Sequence, residues 1–102
     1  MENFVSVNNI STRVPDGYKV YQNYPNPFNP ATTIKFDIMK AAFVKMEIYD
    51  GLGRKIDELV NERLQPGSYS VEWNASNKPS GIYYYRISTA DFTKTMKMTL
   101  VK

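Results

Sequence analysis

The side chains best suited to paired acid–base or metal chemistry here are carboxylates. Ten carboxylates (Glu2, Asp16, Asp37, Glu47, Asp50, Asp57, Glu58, Glu62, Glu72 and Asp91) stand in a chain of 102 residues without histidine or cysteine. That excludes a Ser-His-Asp triad, a thiolate nucleophile, zinc sites of imidazole or thiolate, and haem held by histidine. Paired carboxylates serve glycoside hydrolysis, but most of these ten fall on the solvent side of a strand or in a turn. Asp50, with Asp57 and Glu58 nearby, offers calcium-type oxygen ligands. The spacing fits no calcium loop, and turn chemistry accounts for Asp50. Gly51 and Gly53 lack the Gly-Lys-Ser continuation of a phosphate-cradling loop. The residues therefore point away from an enzyme, and no cofactor or metal is expected.

A second chemistry open to the chain is stacking. Tyr69, Trp73, Tyr83, Tyr84 and Tyr85 could form a sugar platform if their rings lay flat on the surface. Alternation along the two segments sends Tyr69, Trp73, Tyr83 and Tyr85 inward. Tyr84, with Tyr49, is left as the candidate platform, and the others are expected in the core. Met96 and Met98 read as core filler, and Lys94, Lys97 and Lys102 as solvated charge.

The composition is that of one folded domain: 42% hydrophobic, 14% aromatic, and a formal charge of +3 from thirteen basic and ten acidic residues. The positive charge is spread along the chain without a basic block, so nucleic acid is not an expected partner. No apolar run reaches the ~20 residues of a membrane-spanning helix. The opening Met1-Glu2-Asn3 lacks the basic and apolar regions of a signal peptide, which implies either a cytosolic protein or a piece of a longer one.

The elements that must position these residues are strands. Ile34, Phe36 and Ile38 alternate with Lys35 and Asp37, and Val44, Met46 and Ile48 with Lys45 and Glu47, which predicts consecutive antiparallel strands. Lys55 to Asn61 fits a strand or a single helical turn, because Ile56, Leu59 and Val60 suit either period. Gln65-Pro66-Gly67 is a turn before Tyr69/Val71/Trp73. Tyr83/Tyr85/Ile87 reads as a central strand apolar on both faces, and Met96/Met98/Leu100 as the last strand. Residues 1–17 read as a linker with room for one edge strand. The block Tyr24-Pro25-Asn26-Pro27-Phe28-Asn29-Pro30 forbids helix and must be a rigid turn or an extended edge. The prediction is an all-β, immunoglobulin-like antiparallel sandwich of about seven strands over residues 18–102.

The block from Tyr24 through Pro30, continued by Ala31-Thr32-Thr33-Ile34-Lys35-Phe36, resembles the opening signature of the type IX secretion system C-terminal sorting domain, type A. Tyr49-Asp50, Gly53-Arg54, Pro66-Gly67, Tyr69/Val71/Trp73, Ser80-Gly81-Ile82-Tyr83 and Lys97-Met98 follow in that family's order. Many members have Leu-Pro where this chain has Met39-Lys40 after Ile38, which changes the turn into Ala41-Ala42-Phe43. The resemblance implies a non-catalytic secretion signal at the C-terminus of a cargo protein. Such a signal is recognised by translocon components in the periplasm, takes its cargo to the outer-membrane surface or the medium, and is removed by a sortase-like peptidase. The cut would fall in or before residues 1–17, where exposed backbone can enter a protease site.

The same resemblance places translocon recognition on Gly81, Ile82, Tyr83, Lys97, Met98, Leu100, Val101 and Lys102. A terminal edge strand offering free backbone groups would let a receptor add a strand there. The reading from a different class is an accessory immunoglobulin-like module that binds carbohydrate through Tyr84 or mediates assembly.

Overall fold

The computed structural model describes residues 7–102. Eight strands follow in order: β1 Asn8–Ser11, β2 Lys19–Val20, β3 Ala31–Ile38, β4 Ala42–Tyr49, β5 Lys55–Leu64, β6 Gly67–Asn74, β7 Gly81–Ser88 and β8 Thr93–Leu100. They form two antiparallel four-stranded sheets, ordered β1-β6-β3-β2 and β5-β4-β7-β8. This is the sandwich the alternation predicts, with two very short strands, β1 and β2, bringing the count from about seven to eight. Within residues 1–17, Asn8–Ser11 is a sheet edge, and Met1 to Ser6 lie outside the described residues.

Alternation builds the core directly. Ile34, Phe36 and Ile38 of β3 and Tyr69, Val71 and Trp73 of β6 point inward from the first sheet. Val44, Met46 and Ile48 of β4, Tyr83, Tyr85 and Ile87 of β7, and Met98 and Leu100 of β8 meet them from the second, all buried. The strands β3 and β4 are consecutive, but they do not pair. β3 bonds to β6 and β2, and β4 to β5 and β7, so Met39-Lys40-Ala41 carries the chain from one sheet to the other. Each strand has one apolar face, and placing the two faces opposite each other buries both.

The ambiguous segment Lys55 to Asn61 is strand, running on to Leu64. Its register against β4 shifts between Met46 and Glu47 and again between Ile48 and Tyr49. These bulges break the two-residue period and explain why the segment reads equally as helix. Asp50 closes the preceding turn, accepting hydrogen bonds from the backbone N–H of Leu52 (2.9 Å) and Arg54 (3.0 Å), with Gly53 at φ +83°. Asp57 accepts a 2.9 Å hydrogen bond from the Trp73 indole N–H, tying β5 to β6 across the sandwich. Both acids thus have structural partners. Among the described residues, no three His, Cys, Asp or Glu side chains cluster as metal ligands, and no helix is long and apolar enough to cross a membrane.

Candidate functional site

The last strand and the start of β7 lie side by side at one end of the second sheet, paired Gly81↔Leu100, Ile82↔Thr99, Tyr83↔Met98 and Tyr84↔Lys97. Directly paired residues share a face, so this register sorts the predicted recognition residues into two sets. Tyr83, Met98 and Leu100 are at most 4% exposed. The Tyr83 ring packs edge-on against Trp73, and its hydroxyl donates to the Pro79 carbonyl at 2.6 Å. In the folded domain these three side chains lie in the core and help to hold the sandwich together. Ile82 (39% exposed) and Val101 (51% exposed) face outward, as do Lys97 and Lys102. Gly81 opens β7 with open space where a side chain would be. The Lys102 N–H donates to Ser80 Oγ at 3.0 Å and its Nζ to the Ser76 carbonyl at 2.6 Å, which fixes the chain end.

The edge of β8 is not bare either. β8 is an edge strand, as expected, but its C-terminal half is already covered. The Phe28 N–H donates to the Thr99 carbonyl (3.0 Å), and the Val101 N–H donates to the Phe28 carbonyl (3.0 Å). The Thr99 N–H donates to Asn26 Oδ1 (3.1 Å), and Gln22 Nε2 donates to the Lys97 carbonyl (2.8 Å). The proline-rich segment therefore lies along β8 as a strap, bridged in parallel fashion at Phe28 and Leu100. Proline lacks an N–H and cannot continue a ladder, so the strap caps the edge and offers little to pair with in turn. Phe28 anchors it, 1% exposed and 5.8 Å from the Trp73 ring. The Tyr85 hydroxyl ties its start to the core, donating to the Tyr21 carbonyl (2.7 Å) and accepting from the Asn23 N–H (2.9 Å). Burial pushes that phenol up to about 12, so it remains a neutral donor.

On the outer face, Tyr49 pairs with Tyr84 across β4 and β7, which places the suggested sugar platform on one surface. The Arg86 guanidinium covers the Tyr49 ring at 4.9 Å from its centroid, and the Tyr49 hydroxyl is spent on Glu47 at 2.9 Å. A ring already stacked and bonded by its own neighbours is not a free platform.

A secretion system C-terminal sorting domain model matches residues 22–102, which takes in the strap, the outward corner and all of β3 to β8. The chain belongs to that family. The resemblance read from the ordered motifs is therefore borne out. The sorting domain's fold is also similar to part of the solved structure of PorZ, an essential bacterial surface component of the type-IX secretion system of Porphyromonas gingivalis, at 23% identity and a TM-score of 0.55. That similarity covers 85% of this chain and 12% of the PorZ chain, so the sorting domain spans a small part of that protein's length. A comparison with curated proteins finds no match.

Sequence reasoning missed two features of the sorting domain's outward corner. Leu52, 80% exposed, sits on the turn beside Ile82: a Cβ on Gly51 would lie 3.5 Å from the Ile82 carbonyl. Asn26, Phe28 and Gln22 cap the terminal strand. A turn glycine and a proline motif each announce a local conformation, but nothing in either tells which distant strand it will touch.

Proposed function

We propose that this sorting domain is the C-terminal address of a larger exported protein, carried across the bacterial outer membrane by the type IX system, and that it takes no part in catalysis itself. The observation that carries this reading is the family match across residues 22–102. The fold likeness to a type IX surface component agrees with it. Machinery that handles the domain folded reads its face, since the strap occupies the edge of β8 from Lys97 to Val101. The surface proposed for translocon contact is Ile82, Lys97, Val101 and Lys102, with Leu52 beside them. The cargo lies N-terminal to the domain, and a sortase-like peptidase cuts between the two.

Deleting Thr99–Lys102 would be an ambiguous test, because Leu100 belongs to the core and Thr99 and Val101 hold the strap. The cleaner variant is Ile82→Ser with Lys97→Glu, both on exposed positions. A reporter fused ahead of the domain, in a bacterium with a type IX system, should lose at least roughly tenfold of its export, equivalent to about 1.4 kcal/mol of lost contact energy. The melting temperature of the isolated domain should not move. Unchanged export would remove this face from the recognition surface.

A further inference from the structure

The first strand is bound in an unusual way for part of a sandwich. Asn8–Ser11 pairs with β6 through Asn8↔Ser70, Asn9↔Tyr69 and Ser11↔Ser68, yet Asn8, Asn9 and Ile10 are exposed and Ser11 is half-buried. None of the four belongs to the hydrophobic core. Strand and sheet are held by backbone pairing, by the half-buried Val7 just before the strand, which packs against the core, and by Asn9, whose Nδ2 donates to the carbonyls of Ser11 (3.1 Å) and Ser68 (3.2 Å) across the register shift.

The receiving strand is shaped to fit. Gly67 has φ +153°, and a Cβ there would stand 2.6 Å from the Ser11 carbonyl and 3.1 Å from Asn9 Nδ2. Only glycine lets this backbone approach so closely. The connection that follows, Thr12 to Gly17, stands off the sheet over an open cleft of about 290 Å³ lined by Arg13, Val14, Asp16, Asp37 and Ser68. Both β1 and this connection precede the residues shared with the family.

We infer that the outer edge of β6 from Gly67 to Ser70 is a peptide-acceptor site, filled in cis by Asn8–Ser11 and opened when the chain is cut between Thr12 and Gly17. Its ligand is a short extended peptide that adds to the sheet edge by backbone hydrogen bonds, with an asparagine placed to cap two carbonyls. Residues 1–17, where cleavage is expected, thereby divide in two. A cut before Asn8 leaves the acceptor filled by a tethered strand. A cut after Thr12 leaves that strand on the upstream part of the chain, held to the domain without a covalent bond and free to exchange.

The test inserts a site for a specific protease between Arg13 and Val14 of the full chain, cleaves it, and adds a fluorescent peptide of the sequence Val7–Arg13. The cut chain should take up the peptide saturably while keeping the near-UV signal of Trp73, and the uncut chain should take up none. The same peptide carrying Asn9→Ala should bind roughly threefold to tenfold more weakly, the worth of one net hydrogen bond or slightly more. The inference is overturned by a cut chain that takes up no peptide, by equal uptake in the uncut chain, or by loss of the Trp73 signal once the native fragment leaves. That last result would make β1 an integral part of the fold.

Discussion

Glu47 stands on the solvent face of the second sheet, yet its carboxylate is enclosed by partners: the Tyr49 hydroxyl at 2.9 Å, Lys55 at 3.1 Å and Arg86 at 3.3 Å. The Tyr49 hydrogen bond does most to favour the ionised form. The two cations add to it and outweigh the cost of burial, which lowers the pKa to about 2. A folded-state pKa below the unfolded one means that the stabilisation is present at neutral pH and disappears as pH falls from the ordinary value near 4.5 toward 2. Glu47→Gln should therefore cost about 1.5–3 kcal/mol at pH 7, the scale of hydrogen bonds to a charged group. The gap to the parent domain should close as pH falls toward 2, as read by urea unfolding at a series of pH values. A gap that stays constant down to pH 2 would assign the loss to packing instead of charge. Because Tyr49 and Arg86 are committed to this carboxylate, the same residue also explains why the Tyr49 ring does not present a bare stacking surface.

The strap and β8 share one set of hydrogen bonds, so each should report on the other. Phe28→Ala removes the buried ring that seats the strap against Trp73 and should cost about 3–5 kcal/mol. Beyond that global loss, the Thr99 and Val101 amides, whose acceptors are Asn26 Oδ1 and the Phe28 carbonyl, should exchange with deuterium faster than the Met98 amide, which faces β7. Equal acceleration of all three would mean that the strap protects nothing of its own. Such a pairing has no signature in the sequence. The strands β3, β6 and β7 are legible because a two-residue period of Ile, Phe, Val, Trp and Tyr marks each of them. β5 is half legible, since its extra residues Leu59 and Ile56, each left without a partner on β4, interrupt that period. β1 is illegible, because Asn8-Asn9-Ile10-Ser11 buries no side chain that would mark one face. The candidate site was read in part for the same reason: alternation along β8 already separates Met98 and Leu100 from Lys97, but only the cross-strand register shows which of β7's residues stand beside them.

At the scale of the whole molecule, the question is whether the export machinery reads the folded sandwich or a stretch of chain, and the partition of the terminal residues makes that decidable. Met98 and Leu100 are buried in the core, so a machinery that reads the folded face would feel Met98→Ala only through folding. The substitution should cost about 2–5 kcal/mol, a large share of the ~5–15 kcal/mol that holds a typical domain. If the folded face is the address, export of a fused reporter by Met98→Ala should track the folded fraction of the domain. It should fall at growth temperatures near the variant's melting point and recover in cooler cultures. Lys97→Glu, on an exposed position of the same strand, should leave melting in place and reduce export at every temperature. The opposite pattern, with Met98→Ala defective even where circular dichroism shows it folded, would mean that the methionine side chain itself is read. The strap would then have to open and β8 leave the sheet before recognition, since in the folded domain Met98 is closed off by Tyr83 on the neighbouring strand and by the facing sheet.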